Sequence, residues 1–168
     1  MNQHINIRPA HEGDMEEIAC IYNQAVDMGY VTADTEHVNA ESRKQIWQTI
    51  TQVQKRPFWI MELNNEVVAF FYFRNFYDRP AYRITAEIGI YIDEKTKGKG
   101  LGKHILNFCI QEAKSLQIEN ILALIFAGNE NSIALFKKFG FEIKGEFKEI
   151  AKAGERYNDL IILQKKIN

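Results

Sequence analysis

Glycines at positions 98, 100 and 102 interleave with Lys97, Lys99, Leu101 and Lys103, a pattern suited to holding an anion. Without a Cβ at those positions, successive backbone N–H groups can close around a phosphate. Lys95, Lys97, Lys99 and Lys103 add full charges. The unpaired amides at the start of the following helix contribute up to ~2 kcal/mol toward an anion in a partly buried setting. Spacing separates this turn from two familiar phosphate loops. The Walker pattern would need glycine at 97 and a hydroxyl residue at 104, where the chain has Lys97 and His104. The dinucleotide fingerprint would need a longer third interval than Gly100 to Gly102, and Glu119 precedes its strand. A flexible glycine turn with solvated lysines is the plain alternative. His4, His11, His37 and His104 show no paired ligand spacing, so no metal is expected.

Such a turn needs a strand running into it and a helix leaving it. Ile88, Ile90 and Ile92 alternate up to it, and Ile105, Phe108, Cys109 and Leu116 recur at helical spacing beyond it. Upstream, Met1 to Pro9 reads as an alternating strand rather than a signal region, with Ile5, Ile7 and Pro9 marking the strand itself. Asp14 and Glu17 have capping-box spacing, ahead of a helix that runs to Met28 on Met15, Ile18, Ile21, Tyr22 and Val26. Gly29 to Val38 is a polar loop. Asn39 can cap a second helix with Ile46, Trp47, Ile50 and Val53 on one face. Residues 58–63 and 66–76 flank Asn64-Asn65 as a hairpin; Tyr77 to Ala81 breaks the pattern, and Tyr82 to Ile92 resumes it. After the glycine turn, the expected elements are a buried strand over Ile121 to Ile125, a brief helix over Asn131 to Lys138, and strands over 141–150 and 157–163 around Gly154.

A chain of 168 residues, 46% hydrophobic, is long enough for one buried core, so residues 1–168 form a single mixed α/β domain. A net charge of −1 disfavours nucleic acid as a partner. No apolar run suits a bilayer, so no membrane partner and a cytoplasmic location are expected. Cys20 and Cys109 sit among apolar helix positions with no Cys-x-x-Cys pair and read as reduced core residues.

The run Lys97-Gly-Lys-Gly-Leu-Gly102 resembles the Arg/Gln-x-x-Gly-x-Gly/Ala motif of the GNAT N-acetyltransferase superfamily. Asn129-x-x-Ser132-x-x-Leu135-Phe136-x-x-x-Gly140-Phe141 is similar to its second, CoA-binding motif. Ile7-Arg8-Pro9-Ala10, Ile21-Tyr22-Asn23-x-Ala25-Val26, Asp34-Thr35-Glu36, Ala81-Tyr82-Arg83-x-Thr85-x-Glu87 and Gly154-x-Arg156-x-x-Asp159-Leu160 resemble the phosphinothricin and methionine-sulfone acetyltransferase branch. The resemblance spans nearly the whole chain. It implies a central, twisted, mostly antiparallel sheet of about seven strands flanked by about four helices.

It also implies acetyl-CoA as co-substrate, with no metal. Lys97, Gly98, Lys99, Gly100, Leu101, Gly102 and Lys103 would hold the pyrophosphate; Ile90, Tyr91, Ile92 and Asn129 would line the pantetheine arm, with Lys138 nearby. Lys97 stands where the family has Arg or Gln and lacks their planar two-point donor set. Glu87 matches the catalytic glutamate, on the same strand face as Gly89 and Tyr91, and would relieve an α-ammonium of its proton; a structural pair with Arg83 is the alternative. Backbone N–H groups near Ile90 to Ile92 would stabilise the oxyanion. Phe136 replaces the proton-donating Tyr or His of relatives, with Tyr91 and Tyr157 as weak substitutes.

Arg74, Phe76, Tyr82 and Arg83 would bind a small amino acid through guanidinium and aromatic faces, or else form an ordinary exposed loop. Tyr30 to Glu36 and Gly154 to Tyr157 match loops bordering that pocket, which several relatives complete across a homodimer interface. The expected reaction is direct acetyl transfer to the α-amine of an amino-acid analogue such as phosphinothricin, methionine sulfone or methionine sulfoximine. A polyamine, aminoglycoside or protein amine as acceptor, or a non-catalytic acetyl-CoA sensor, is the alternative.

Overall fold

The computed structural model describes residues 4–167. Met1 to Gln3, the start of the expected alternating stretch, and Asn168 lie outside the described residues. The elements run β1 (Ile5–Pro9), α1 (Met15–Met28), α2 (Ala40–Gln48), β2 (Phe58–Leu63), β3 (Glu66–Asn75), β4 (Thr85–Ile92), α3 (Leu101–Ser115), β5 (Asn120–Phe126), α4 (Glu130–Lys138), β6 (Glu142–Ala153) and β7 (Arg156–Lys166). One seven-stranded sheet has the order β1-β2-β3-β4-β5-β7-β6. Every neighbouring pair is antiparallel except β4 with β5. The expected fold class holds.

The sheet is covered on both faces, and the aromatic run of β3 shows how. Phe71 and Phe73 join a core with Ile105, Leu106 and Cys109 of α3. Phe70 and Tyr72 point the other way, into a core with Ile18 and Tyr22 of α1. A run that is apolar at every position, rather than alternating, is what two buried faces require. Asn64 and Asn65 both take left-handed backbones, with φ 53° and 68°, and close the β2–β3 hairpin as expected.

Several local expectations change. Asp14 does not cap α1 through its side chain. Its carboxylate receives Arg8 Nη1 at 2.9 Å, Arg8 Nη2 at 2.7 Å and the His11 N–H at 2.8 Å. A guanidinium fork is a stronger partner than a helix amide, so β1 is clipped to the start of α1 instead. Burial alone would raise the Asp14 carboxyl, and Arg8 with the His11 amide more than reverse this, leaving it below its ordinary range.

Asn39 caps α2 as expected, accepting the Ser42 N–H at 2.9 Å. The apolar face of α2 does not continue, because Thr49–Val53 winds as a π-helical turn. The wider turn rotates Val53 out to 76% exposure while Ile50 stays buried. Tyr82 falls in a 3₁₀ turn over Pro80–Tyr82, so the third strand begins at Thr85. Cys20 is exposed rather than buried, since the inward face of α1 is formed by Ile18, Ala19, Ile21 and Tyr22. Cys109 is fully buried, and burial pushes its thiol well up.

Candidate active site

The parallel pairing of β4 with β5 covers only Thr85, Ala86 and Glu87 against Asn120, Ile121 and Leu122. β4 continues to Ile92 beside β3, and β5 continues to Phe126 beside β7. Past Glu87 the two strands therefore part. Their facing backbone groups have no ladder partner there, and buried peptide groups demand one. Two cavities open into this gap.

The first, about 720 Å³, runs from the glycine turn along Ile90, Tyr91 and Ile92 to the start of α4. Gly98 and Gly100 hold φ of 80° and 76°, with open space where a Cβ would point. Left-handed geometry at both is what glycine supplies there. Among the described residues no backbone carbonyl takes the N–H groups of Gly98, Gly100, Leu101 or Gly102. The Lys99 and Lys103 amides are held instead by the Thr96 and Gly100 carbonyls. Of the six amides from Gly98 to Lys103, four are therefore left open. Gly102 has a different role: a Cβ there would lie 2.9 Å from Leu135 Cδ2, so its absence lets α4 close on α3. These open amides at a helix start fit a pyrophosphate, and the groove beyond fits an extended pantetheine arm.

The lysines divide. Lys97 and Lys103 line the groove, and Lys97 Nζ meets Glu94 Oε1 at 2.5 Å. Lys99 and Lys138 are exposed and lie outside the lining. Asn129 lines both cavities; its side chain caps α4 by accepting the Ser132 N–H at 3.4 Å, leaving its amide NH₂ to face a ligand.

The second cavity, about 550 Å³, shares Val31, Ile90, Tyr91, Asn129, Ser132 and Phe136 with the first and extends to Glu87 and Arg74. Glu87 is largely covered, with 16% of its side chain exposed, and its Oε1 accepts Arg74 Nη2 at 2.6 Å. The ion pair expected as an alternative thus exists, but with Arg74 from the facing position on β3 and not with Arg83. Burial opposes the Arg74 charge and the Glu87 contact outweighs it, so its pKa lies above the ordinary value.

Arg43 was not evident from spacing. It reaches this cavity from α2 with its guanidinium 4.3 Å from the Tyr22 ring centre and Nη2 3.9 Å from Asp34 Oδ2. Its Nε is buried with no hydrogen-bond partner. A buried orphan donor in a cavity wall is unusual enough to point to a ligand. Tyr22 donates to Asp34 Oδ2 at 2.7 Å and lies 2.5 Å from Thr32 Oγ1; burial, then the Asp34 contact, push its hydroxyl up to about 12. Tyr91 stacks on Phe70 at 4.8 Å, and burial, then its neighbours Tyr72 and Tyr22, hold its hydroxyl well above its ordinary pKa. Gly89 makes room for Tyr72, whose ring carbon would stand 2.5 Å from a Cβ there.

Phe76, Tyr82 and Arg83 are not brought to this cavity. Phe76 and Tyr82 pack edge-on at 5.7 Å in the exposed connection beyond the strand ends, and Arg83 lines a separate cavity. Tyr30 to Asp34 do border the two site cavities, whereas Gly154 to Tyr157 do not; Ile150, Ala151 and Leu160 of the β6–β7 hairpin stand there instead. Tyr157 is 56% exposed, and Phe136 is buried where both cavities meet.

Comparison with known proteins agrees with this geometry. A family described as Acetyltransferase (GNAT) domain matches residues 7–162. Bacillus subtilis YwnH, whose name assigns it provisionally to phosphinothricin acetylation, is 40% identical over 98% of this chain and 100% of its own. The L-methionine sulfoximine/L-methionine sulfone acetyltransferase of Pseudomonas aeruginosa is 29% identical over 95% of this chain and 92% of its own. The crystal structure of the Sinorhizobium meliloti GNAT superfamily phosphinothricin acetyltransferase, in complex with acetyl-CoA, superposes with a TM-score of 0.91 at 27% identity, covering 98% and 89% of the two chains. A splayed β4–β5 pair with open amides at one end and a carboxylate at the other, in a chain matched along almost its whole length, is thus accounted for: the protein belongs to the GNAT acetyltransferase family.

Proposed function

We propose that the enzyme acetylates the α-amine of a small amino-acid analogue of the phosphinothricin, methionine sulfone or methionine sulfoximine type, by direct attack. The observation that carries this reading is Arg43 Nε, buried and without a partner in the wall of the cavity that holds Glu87. Arg74 and Arg83 were the expected guanidinium ligands; Arg74 Nη2 is engaged by Glu87, and Arg83 lies in another cavity. Arg43 then adds a second guanidinium beside Arg74 to meet an acceptor carboxylate, while Tyr22, Tyr72 and Ile88 wall its side chain. The names of the relatives favour the same acceptor class.

An α-ammonium with a pKa of about 8 is mostly protonated at neutral pH, so a base is needed. Arg74 fixes one oxygen of Glu87, and Oε2, which takes no hydrogen bond among the described residues, removes the proton. Acetyl-CoA, when bound, supplies the activated acyl group. The open amides of the glycine turn and the amide of Asn129 hold it, and Ile90 to Ile92 carry the backbone donors nearest the acyl oxygen. Phe136 provides no proton for the departing thiolate; a thiol pKa of about 8.5 lets it leave as the anion and equilibrate with water.

Ile143, Phe147, Ile150 and Tyr157 of the β6–β7 hairpin are each about half exposed, and Ile150 lines the acceptor cavity. A second copy of the chain covering this face would close the pocket as a homodimer. Both cysteines are free, in keeping with a reducing compartment such as the cytoplasm.

The test is thiol release from acetyl-CoA with phosphinothricin, methionine sulfone, methionine sulfoximine and spermidine, using the native protein and Glu87→Gln. Amino-acid analogues should turn over, spermidine should not, and the variant should lose about 10²–10⁴-fold in kcat. Preference for spermidine, or full activity of Glu87→Gln at all pH values, overturns the reading.

A further inference from the structure

The largest of the cavities, about 1150 Å³, shares no lining residue with either of those above. It opens where the exit of the π-helical turn, the β3–β4 connection and the C-terminal end of α3 meet. Its lining carries five cations, Lys55, Arg56, Arg79, Arg83 and Lys114, against two carboxylates, Asp78 and Glu119. Among the described residues none of the five forms an ion pair. Exposed lysines alone would mean little, because water screens them.

Arg56 is different. It is 8% exposed, and its polar contacts are neutral: Nε donates to Asn75 Oδ1 at 2.9 Å and Nη2 to the Arg83 carbonyl at 2.6 Å. An arginine stays charged, and a buried charge is ordinarily matched by an opposite one. The charged group that acts on it is another cation: burial, and after it Arg83, lower the Arg56 pKa. The guanidinium is also held in place. Asn75 is fixed by its N–H to Gln54 Oε1 and by its Nδ2 to Asp78 Oδ1, both at 2.9 Å. Lys55 and Gln117, both in the lining, hold left-handed backbones with φ 56° and 57°, which costs a non-glycine residue about 1–2 kcal/mol each. Strain and an uncompensated buried charge in one cavity are jointly characteristic of a binding site.

We propose that this cavity binds a small multivalent oxyanion, a di- or tricarboxylate or a phosphorylated metabolite, seated against Arg56 with Arg83 and Lys114 at its rim. Ile84, Leu116 and Ile167 give it apolar walls, which suit an organic body carrying the anionic groups. Arg83, expected at the acceptor, is assigned here instead.

The experiment is calorimetric titration of the CoA-saturated full chain, at constant ionic strength, with citrate and with inorganic pyrophosphate. CoA fills the glycine turn, so any remaining anion site lies elsewhere. One saturable site is expected for at least one probe. It should weaken about tenfold in Lys114→Gln, whose side chain is on the rim and whose loss leaves acetyl transfer unchanged, and disappear in Arg56→Gln. Citrate binding alone identifies a carboxylate ligand, pyrophosphate alone a phosphorylated one, and either supports the site. No saturable heat for both probes, or binding that is the same in both variants, overturns it.

Discussion

The donor groove and the acceptor pocket share the wall formed by Ile90 and Phe136, yet they are assembled in opposite ways. The donor groove is centred on one continuous run, residues 90–103, with the start of α4 and one side of α1 as its flanks. Its recognition groups are backbone amides whose direction follows from local φ angles at Gly98 and Gly100. The acceptor pocket draws single side chains from separate places: Tyr22 from α1, Arg43 from α2, Arg74 from β3, Glu87 from β4 and Ile150 from β6. A ligand common to a whole family can be held by main chain, which substitution hardly changes. An acceptor that varies is held by side chains, each of which can be exchanged alone.

If that division is right, substitutions on the two sides must separate in their kinetics. Arg43→Gln should raise the acceptor KM about 10–100-fold, or about 1.4–2.7 kcal/mol, and leave the acetyl-CoA KM unchanged. A steady-state matrix in both substrates measures this, and an equal effect on both constants breaks the comparison. Asp14→Asn serves as the control, because α1 lines both cavities. It should lower stability by about 2 kcal/mol in denaturant titrations and favour neither KM. The folded-state pKa of Asp14 is depressed, so its contribution is complete above the ordinary carboxylate range near pH 4 and is lost as pH falls through the depressed value. The native protein should therefore lose more stability on acidification than the variant. Lys97→Ala should have the smallest effect, less than about fivefold on the acetyl-CoA KM, because its side chain is 59% exposed and already paired with Glu94. A larger loss would mean that the donor is held by side-chain charge and not by main chain.

The same contrast explains what could be read from the chain beforehand. Strand and helix order followed from periodicity and turn residues, and the glycine turn was visible because its geometry is local. The strand face of Glu87 was legible from its phase, and its expected role only from the family resemblance; its partner was not legible, because facing Arg74 across the β3–β4 pair depends on register, whereas Arg83 is only closer in sequence. Phe76, Tyr82 and Arg83 looked like acceptor residues because they mix guanidinium and aromatic faces around the break between two strands. A 3₁₀ turn and the strand start at Thr85 carry them past the end of the sheet. Arg43 had no local mark at all, since its importance comes from Tyr22 and Asp34, which reach it through tertiary packing. Cys20 went astray for a simpler reason, as one position on a helix decides between core and solvent.

The short stretch of parallel pairing has one more effect. Because β4 and β5 rejoin at Glu87 and Leu122, the gap between them is a slot closed at one end. An extended chain entering from the glycine turn can advance only until the strands meet. The slot therefore acts as a stop, fixing how far the ligand travels by where two strands zip together. On the proposed reading, its reactive end would come to rest beside the carboxylate that marks the closure.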